Sequence, residues 1–136
     1  MLRTWCHTGG YWEGVAGYAR AVRVDNHVWI SGCTATQDES GNVILDPAEQ
    51  TRRTIDQIEH VVKSMGGSLS DVVQTRIYIR DLKHIAAIAQ AHGDRFREIR
   101  PANMLAQVGL SDPILVEIEA EAIIGSGEHR QEVPLP

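Results

Sequence analysis

Apolar and charged residues alternate along LVEIEAEAII (115–124). A strand there sets Val116, Ile118, Ala120, Ala122 and Ile124 on one face and Glu117, Glu119 and Glu121 on the other, so one face is core and the other carboxylate. Residues 103–108 alternate too, with Met104, Ala106 and Val108 opposed to Asn103, Leu105 and Gln107. The loop GLSDP between the two segments predicts that they form a β-hairpin. Residues 72–80 put Val73, Thr75, Ile77 and Ile79 on one face and Gln74, Arg76, Tyr78 and Arg80 on the other. Near the start, GYARAVRV (17–24) and VWISG (28–32) flank the turn residues Asp25-Asn26-His27 and predict an opening hairpin.

Two segments switch to helical spacing. Ala48, Thr51, Ile55, Ile58, Val62 and Met65 recur at intervals of three and four. Asp46 is placed to cap this first helix, Pro47 to occupy its first position and Glu49 its third, and Gly66-Gly67 provides a left-handed stop. A second helix is expected from Asp81, with Ile85, Ile88, Ala89, His92 and Phe96 as its apolar stripe, ended by Pro101.

The predicted order is β-β-α-β-α-β-β, an α+β two-layer sandwich with helices on one sheet face. The other face, expected to carry Arg76, Gln107, Glu117 and Glu119, must meet water or another subunit, and a subunit is the expectation. Residues 17–124 form the predicted domain. Residues 1–16, with Trp5, Tyr11 and Trp12 among glycines, read as an irregular arm, and residues 125–136 as a loose polar tail.

A chain of 136 residues is one domain by size and buries roughly two-thirds of its unfolded surface without a staple. Its formal charge of −5 and lack of a Lys/Arg cluster argue against nucleic acid or a membrane surface as partner. No apolar run approaches a membrane span, and the start, MLRTWCHTGGYW, lacks the apolar centre of a signal peptide. Cys6 and Cys33 have no metal-type spacing and are expected as free thiols in a reducing cytoplasm. The six histidines show no HxxxH or HxH pairing, and neither a Walker loop nor GxGxxG is present, so neither a metal nor a cofactor is expected.

Several short motifs then fall in one order: Gly17-Tyr18, the ISG of residues 30–32, Gly66-Gly67 followed by DVV (71–73), IRDL (79–82), RPA (100–102) and EIEAEA (117–122). Together, over residues 17–124, they resemble the RidA family, also called YjgF or reactive-intermediate deaminases. The resemblance implies a chorismate-mutase-like fold and a homotrimer packed sheet to sheet, with clefts for a small-molecule ligand at the subunit boundaries. It also implies a chemistry, in which a glutamate opening the EIEA motif helps water attack an imine carbon while an arginine in a PAR motif grips the substrate carboxylate. Ammonia leaves and a 2-oxo acid remains. By position the glutamate is Glu117, the cleft tyrosine Tyr18 and the cleft wall Ser31-Gly32, with Cys33 next to it. The arginine is replaced by Asn103. A charged hydrogen bond contributes roughly 1.5–3 kcal/mol, so its absence weakens carboxylate binding about ten- to a hundredfold.

Arg76 and Arg100 are the two candidates to restore that charge. Arg76 otherwise pairs with Glu119 or Glu121, and Arg100 otherwise ends a helix in solvent. Glu117, enclosed by a partner, would lose water and exchange protons near neutral pH; Glu119 and Glu121 otherwise form a solvated acidic face. Cys33 is either a nucleophile or an inert thiol. The sequence therefore supports a hydrolase of enamines, imines or related conjugated metabolites with an altered substrate. A non-catalytic trimeric binding module is the alternative, and an endoribonuclease or translation inhibitor is disfavoured by the acidic charge.

Overall fold

The computed structural model describes residues 1–136. Six strands, β1 (Arg3–Cys6), β2 (Ala21–Val24), β3 (His27–Cys33), β4 (Val72–Ile79), β5 (Ala102–Gln107) and β6 (Val116–Ile123), form one sheet in the order β1-β2-β3-β6-β4-β5. Helices α2 (Pro47–Ser64) and α3 (Ile85–Phe96) cover one face, and a short α1 (Tyr11–Ala16) precedes β2. This is the expected α+β sandwich with its other sheet face open.

Helix α2 forms as its sequence dictates. Asp46 accepts the Glu49 N–H at 3.2 Å, Pro47 takes the first turn, and Gly66 stops the chain at φ +95°. Its buried Ile55, Ile58 and Val62 meet Val28, Ile30, Ile77, Ile79, Val116 and Ile118 from the sheet. Gln50 is fully buried in this apolar setting. Its amide donates to the carbonyls of Ile44 (2.7 Å) and Pro113 (2.9 Å) and accepts the Leu115 N–H (2.9 Å), tying two loops to the helix. Each bond satisfies a backbone group that burial would otherwise leave unpaired.

Five expectations require correction. β5 and β6 are not a hairpin: β5 runs parallel to β4 at the sheet edge, and β6 lies antiparallel between β3 and β4. The unit β4–α3–β5 is a helical crossover between parallel neighbours. β5 also turns the other way: Asn103 pairs with Thr75 and Leu105 with Ile77, so these and Gln107 share the helix-covered side. Met104, aligned with Arg76, is exposed on the open face. In β4 a register shift between Val72 and Gln74 buries Val72 rather than Val73. The stripe of α3 is Ile88, Ala91 and Phe96, while Ile85 and Ala89 face solvent. The 1–16 segment, expected to be irregular, supplies the edge strand β1 and helix α1, and β1 pairs with β2 from Arg3↔Val24 to Cys6↔Ala21. At the other end, the Asp71 carboxylate holds the N–H groups of Gly125 (3.1 Å) and Gly127 (3.0 Å), and residues 129–136 are without helix or strand.

Candidate active site

The site begins at an irregularity in β3. Between Ile30 and Cys33 that strand advances three residues while β6 advances two, from Ala120 to Ile118, so Ser31-Gly32 forms a bulge. A bulge redirects the backbone locally. Here Gly32 lies against the Glu117 carboxyl: a methyl group on Gly32 would stand 3.1 Å from Glu117 Cδ. Only a residue without a side chain permits that approach. The bulge is pinned from behind, since the Ser31 hydroxyl donates to the Ala19 carbonyl at 2.7 Å and Arg20 Nη1 donates to the carbonyls of Ser31 and Gly32.

The three glutamates of β6 differ in their partners. Glu119 accepts the Tyr78 hydroxyl at 2.6 Å, and Glu121 takes Arg76 Nη2 at 3.0 Å and His27 Nε2 at 3.2 Å. Glu117 takes no hydrogen bond from the protein. Burial raises its pKa above the ordinary glutamate value; the Arg20 charge opposes this and the Glu119 charge adds to it. The result is a half-buried carboxyl with no protein partner, free to bind something else.

Glu117, Gly32, Tyr18 and Arg20 border a depression of about 790 Å³ whose outer wall is Tyr11 and Trp12 of α1. A second depression, about 850 Å³, adjoins it along Tyr18, Glu13 and Gly10 and reaches Ser31 and Trp5. Both volumes suit small-molecule ligands. Glu13 is buried and accepts the Thr8 N–H (3.0 Å) and the Thr8 hydroxyl (2.6 Å). The hydroxyl bond is the main cause of its lowered pKa, with burial opposing. Arg20 Nη2 lies 3.6 Å from Glu13 Oε2, and the Arg20 guanidinium carbon lies 5.7 Å from the Tyr18 ring centre.

The pattern that defines the endoribonuclease L-PSP family matches residues 12–124 of this chain. The chain belongs to the RidA/YjgF family. It is 40% identical over 111 residues to a protein of Acinetobacter baylyi named 3-aminoacrylate deaminase RutC, covering 79% of this chain and 87% of that one. A YjgF/YER057c/UK114-family crystal structure from Mycobacterium tuberculosis superposes with a TM-score of 0.80 at 36% identity, covering 90% of this chain and all of that one. RidA from a Psychrobacter species gives 0.72 at 29% identity, covering 88% and 94%.

Of the positions carried over from the RidA resemblance, Tyr18, Ser31, Gly32 and Glu117 meet around the two depressions. Cys33 lies behind the wall: its thiol is buried, donates to the Ser31 carbonyl at 3.3 Å, and has its pKa pushed up by burial. Such a thiol is inert rather than nucleophilic. Asn103 sits on the helix side of the sheet, where its amide donates to Thr75 Oγ1 at 3.0 Å, and Thr75 Oγ1 in turn meets His92 Nε2 at 2.9 Å. Arg76 is engaged with Glu121 and, at 3.8 Å, Glu119. Arg100, at φ +60°, lies beside Arg97, Arg130 and Glu132 on another part of the surface. Sequence reasoning overlooked Arg20 and Glu13, and it named the aromatics of the 1–16 arm without placing Tyr11 and Trp12 at this depression. Arg20 was accessible to it, because the strand predicted over residues 17–24 sets Arg20 on the same face as Tyr18.

Proposed function

We propose that this protein is an enamine/imine deaminase in which Glu117 handles the protons. The observation that carries the reading is the contrast along β6, where Glu119 and Glu121 are paired and Glu117, with its raised pKa, is not. The name of the Acinetobacter relative supports the same reaction class. Water adds to the imine carbon, forming a C–O bond, while ionised Glu117 takes a proton from it. The protonated carboxyl passes that proton to the imine nitrogen, giving a carbinolamine; Glu117 then takes the hydroxyl proton and hands it to the nitrogen as the C–N bond breaks and C=O forms, so imine plus water become carbonyl plus ammonia. An enamine enters this sequence after a proton reaches its carbon. Tyr18, Ser31 and Gly32 shape the wall. Asn103, neutral and bonded to Thr75, offers no charge to a carboxylate, so the substrate preference differs from that of relatives with arginine there.

We further propose that the clefts are completed by neighbouring copies in a homotrimer, the open sheet face with its exposed Trp29 and Met104 packing on its equivalents. A solution mass of a single chain would refute this. Both cysteines are free thiols, in keeping with a reducing cytoplasm. No helix is long and apolar enough to cross a membrane.

Ammonia release from 2-imino acids generated in place by an amino-acid oxidase tests the activity in the wild type, Glu117→Gln and Asn103→Arg. The expected result is turnover above background that Glu117→Gln abolishes and Asn103→Arg does not. The neutral Asn103 favours a second reading, a non-catalytic binding module, and ligand binding without turnover in either Glu117 form would establish it instead.

A further inference from the structure

A deaminase acting on imino or enamino acids needs a cation for the substrate carboxylate, and position 103 does not provide one. Arg76 is engaged with Glu121, and Arg100 is not among the groups bordering the Glu117 depression. Arg20 is among them. Its side chain is only 13% exposed, which for an arginine calls for partners. Nη1 has them, donating to the carbonyls of Ser31 and Gly32 and approaching Cys33 Sγ at 3.6 Å. Nε and Nη2 make no hydrogen bond: the nearest carboxylate oxygen to Nη2, on Glu13, is 3.6 Å away and is committed to the Thr8 hydroxyl. No polar atom of Arg20 is sealed from solvent without a partner, so Nε and Nη2 keep access to solvent on a residue that borders the depression.

We infer that Arg20 binds the substrate carboxylate in this chain, through the Nε–Nη2 edge, in place of the neutral Asn103. That edge presents parallel N–H donors with the spacing a carboxylate accepts two-point. Gly32 sets the reach. Arg20 holds its carbonyl and Glu117 lies against its α-carbon, so a short ligand spans from one to the other. A 2-imino acid, with its carboxylate on the reacting carbon, fits that span, as does a 3-amino-2-enoate one carbon longer. Glu13 and Glu117 oppose an anion here, and the Arg20 charge between them and the ligand offsets that repulsion. The inference rests on the deaminase reading for its substrate class, while its test does not depend on turnover.

The test is binding of pyruvate, a 2-oxo acid product, and of uncharged pyruvamide, followed by the fluorescence of Trp12 and its neighbours or by calorimetry. The wild type is expected to prefer pyruvate. Arg20→Gln is expected to lose about ten- to a hundredfold in pyruvate affinity, the value of a charge-assisted pair, with pyruvamide unchanged. Arg20→Lys is expected to recover part of the loss. Equal loss for both ligands would mean that Arg20 only braces the bulge, and unchanged pyruvate affinity would mean that the cation is elsewhere; either overturns the inference. Arg20-dependent pyruvate binding in a protein without turnover would refute the deaminase reading and leave this one standing. Turnover of imino acids indifferent to Arg20→Gln would do the reverse.

Discussion

Adding one methyl group at Gly32 is expected to separate activity from stability. The backbone of Gly32 is outside the left-handed region, so alanine meets no strain there. Its methyl group would stand 3.1 Å from Glu117 Cδ and 3.3 Å from Cγ, with Oε1 closer still. What it strikes is the end of a flexible side chain that holds no partner, so Glu117 rotates away at a cost of about 0.5–1.5 kcal/mol. Replacing glycine by alanine in a strand returns about 0.5–1 kcal/mol. The two nearly cancel, so urea denaturation of Gly32→Ala should lie within about 1 kcal/mol of the wild type. The reaction is less tolerant: a carboxyl moved by an ångström loses about a hundredfold in rate. Measured together, kcat/KM for ammonia release should collapse while the denaturation midpoint stays. An unchanged kcat/KM would refute the placement of Glu117 in the chemistry, and a large loss of stability would refute the claim that only its tip is displaced.

Two further substitutions probe the same framework. Because burial raises the Glu117 pKa, the fold disfavours its ionised form: the wild type has its full stability below the ordinary value of 4.5 and loses some as pH rises through the raised folded value. Glu117→Gln should therefore be more stable than the wild type at neutral pH and lose that advantage in acid; a gain that grew toward acid would contradict the assignment. Gln50→Leu leaves the Ile44 and Pro113 carbonyls and the Leu115 N–H without their partner, a loss expected at about 3 kcal/mol or more in urea denaturation. An unchanged midpoint would mean that those loops reorganise freely.

The local elements were legible where one physical signal dominated. The capping residues and three-four spacing of α2 predict it from Pro47 to its glycine stop, and the alternation of β6 places the glutamates on the open face. Neighbour choice was not legible, because alternation says which face a residue occupies and nothing about which strand lies beside it. A hairpin between β5 and β6 was the local solution, and the crossover β4–α3–β5 won. β1 escaped notice because it is a four-residue edge strand, exposed over Arg3, Thr4 and Trp5, with no burial to impose alternation. The site divided similarly. Glu117, Tyr18 and the Ser31-Gly32 wall followed from motifs, whereas the open edge of Arg20 depends on which of its donors the Ser31 and Gly32 carbonyls occupy.

The position of β6 bears on how the molecule assembles. It is the last strand made, yet it joins β1-β2-β3 to β4-β5. Until residues 116–123 are available, the sheet exists as two unjoined parts with the edges of β3 and β4 bare. Its pairing of Ile123 with His27 closes a loop of most of the chain, the kind of distant contact that slows folding. A growing polypeptide thus displays the edge of β3 early and that of β4 once residue 79 is made, and the segment carrying Glu117 is the one that seals both.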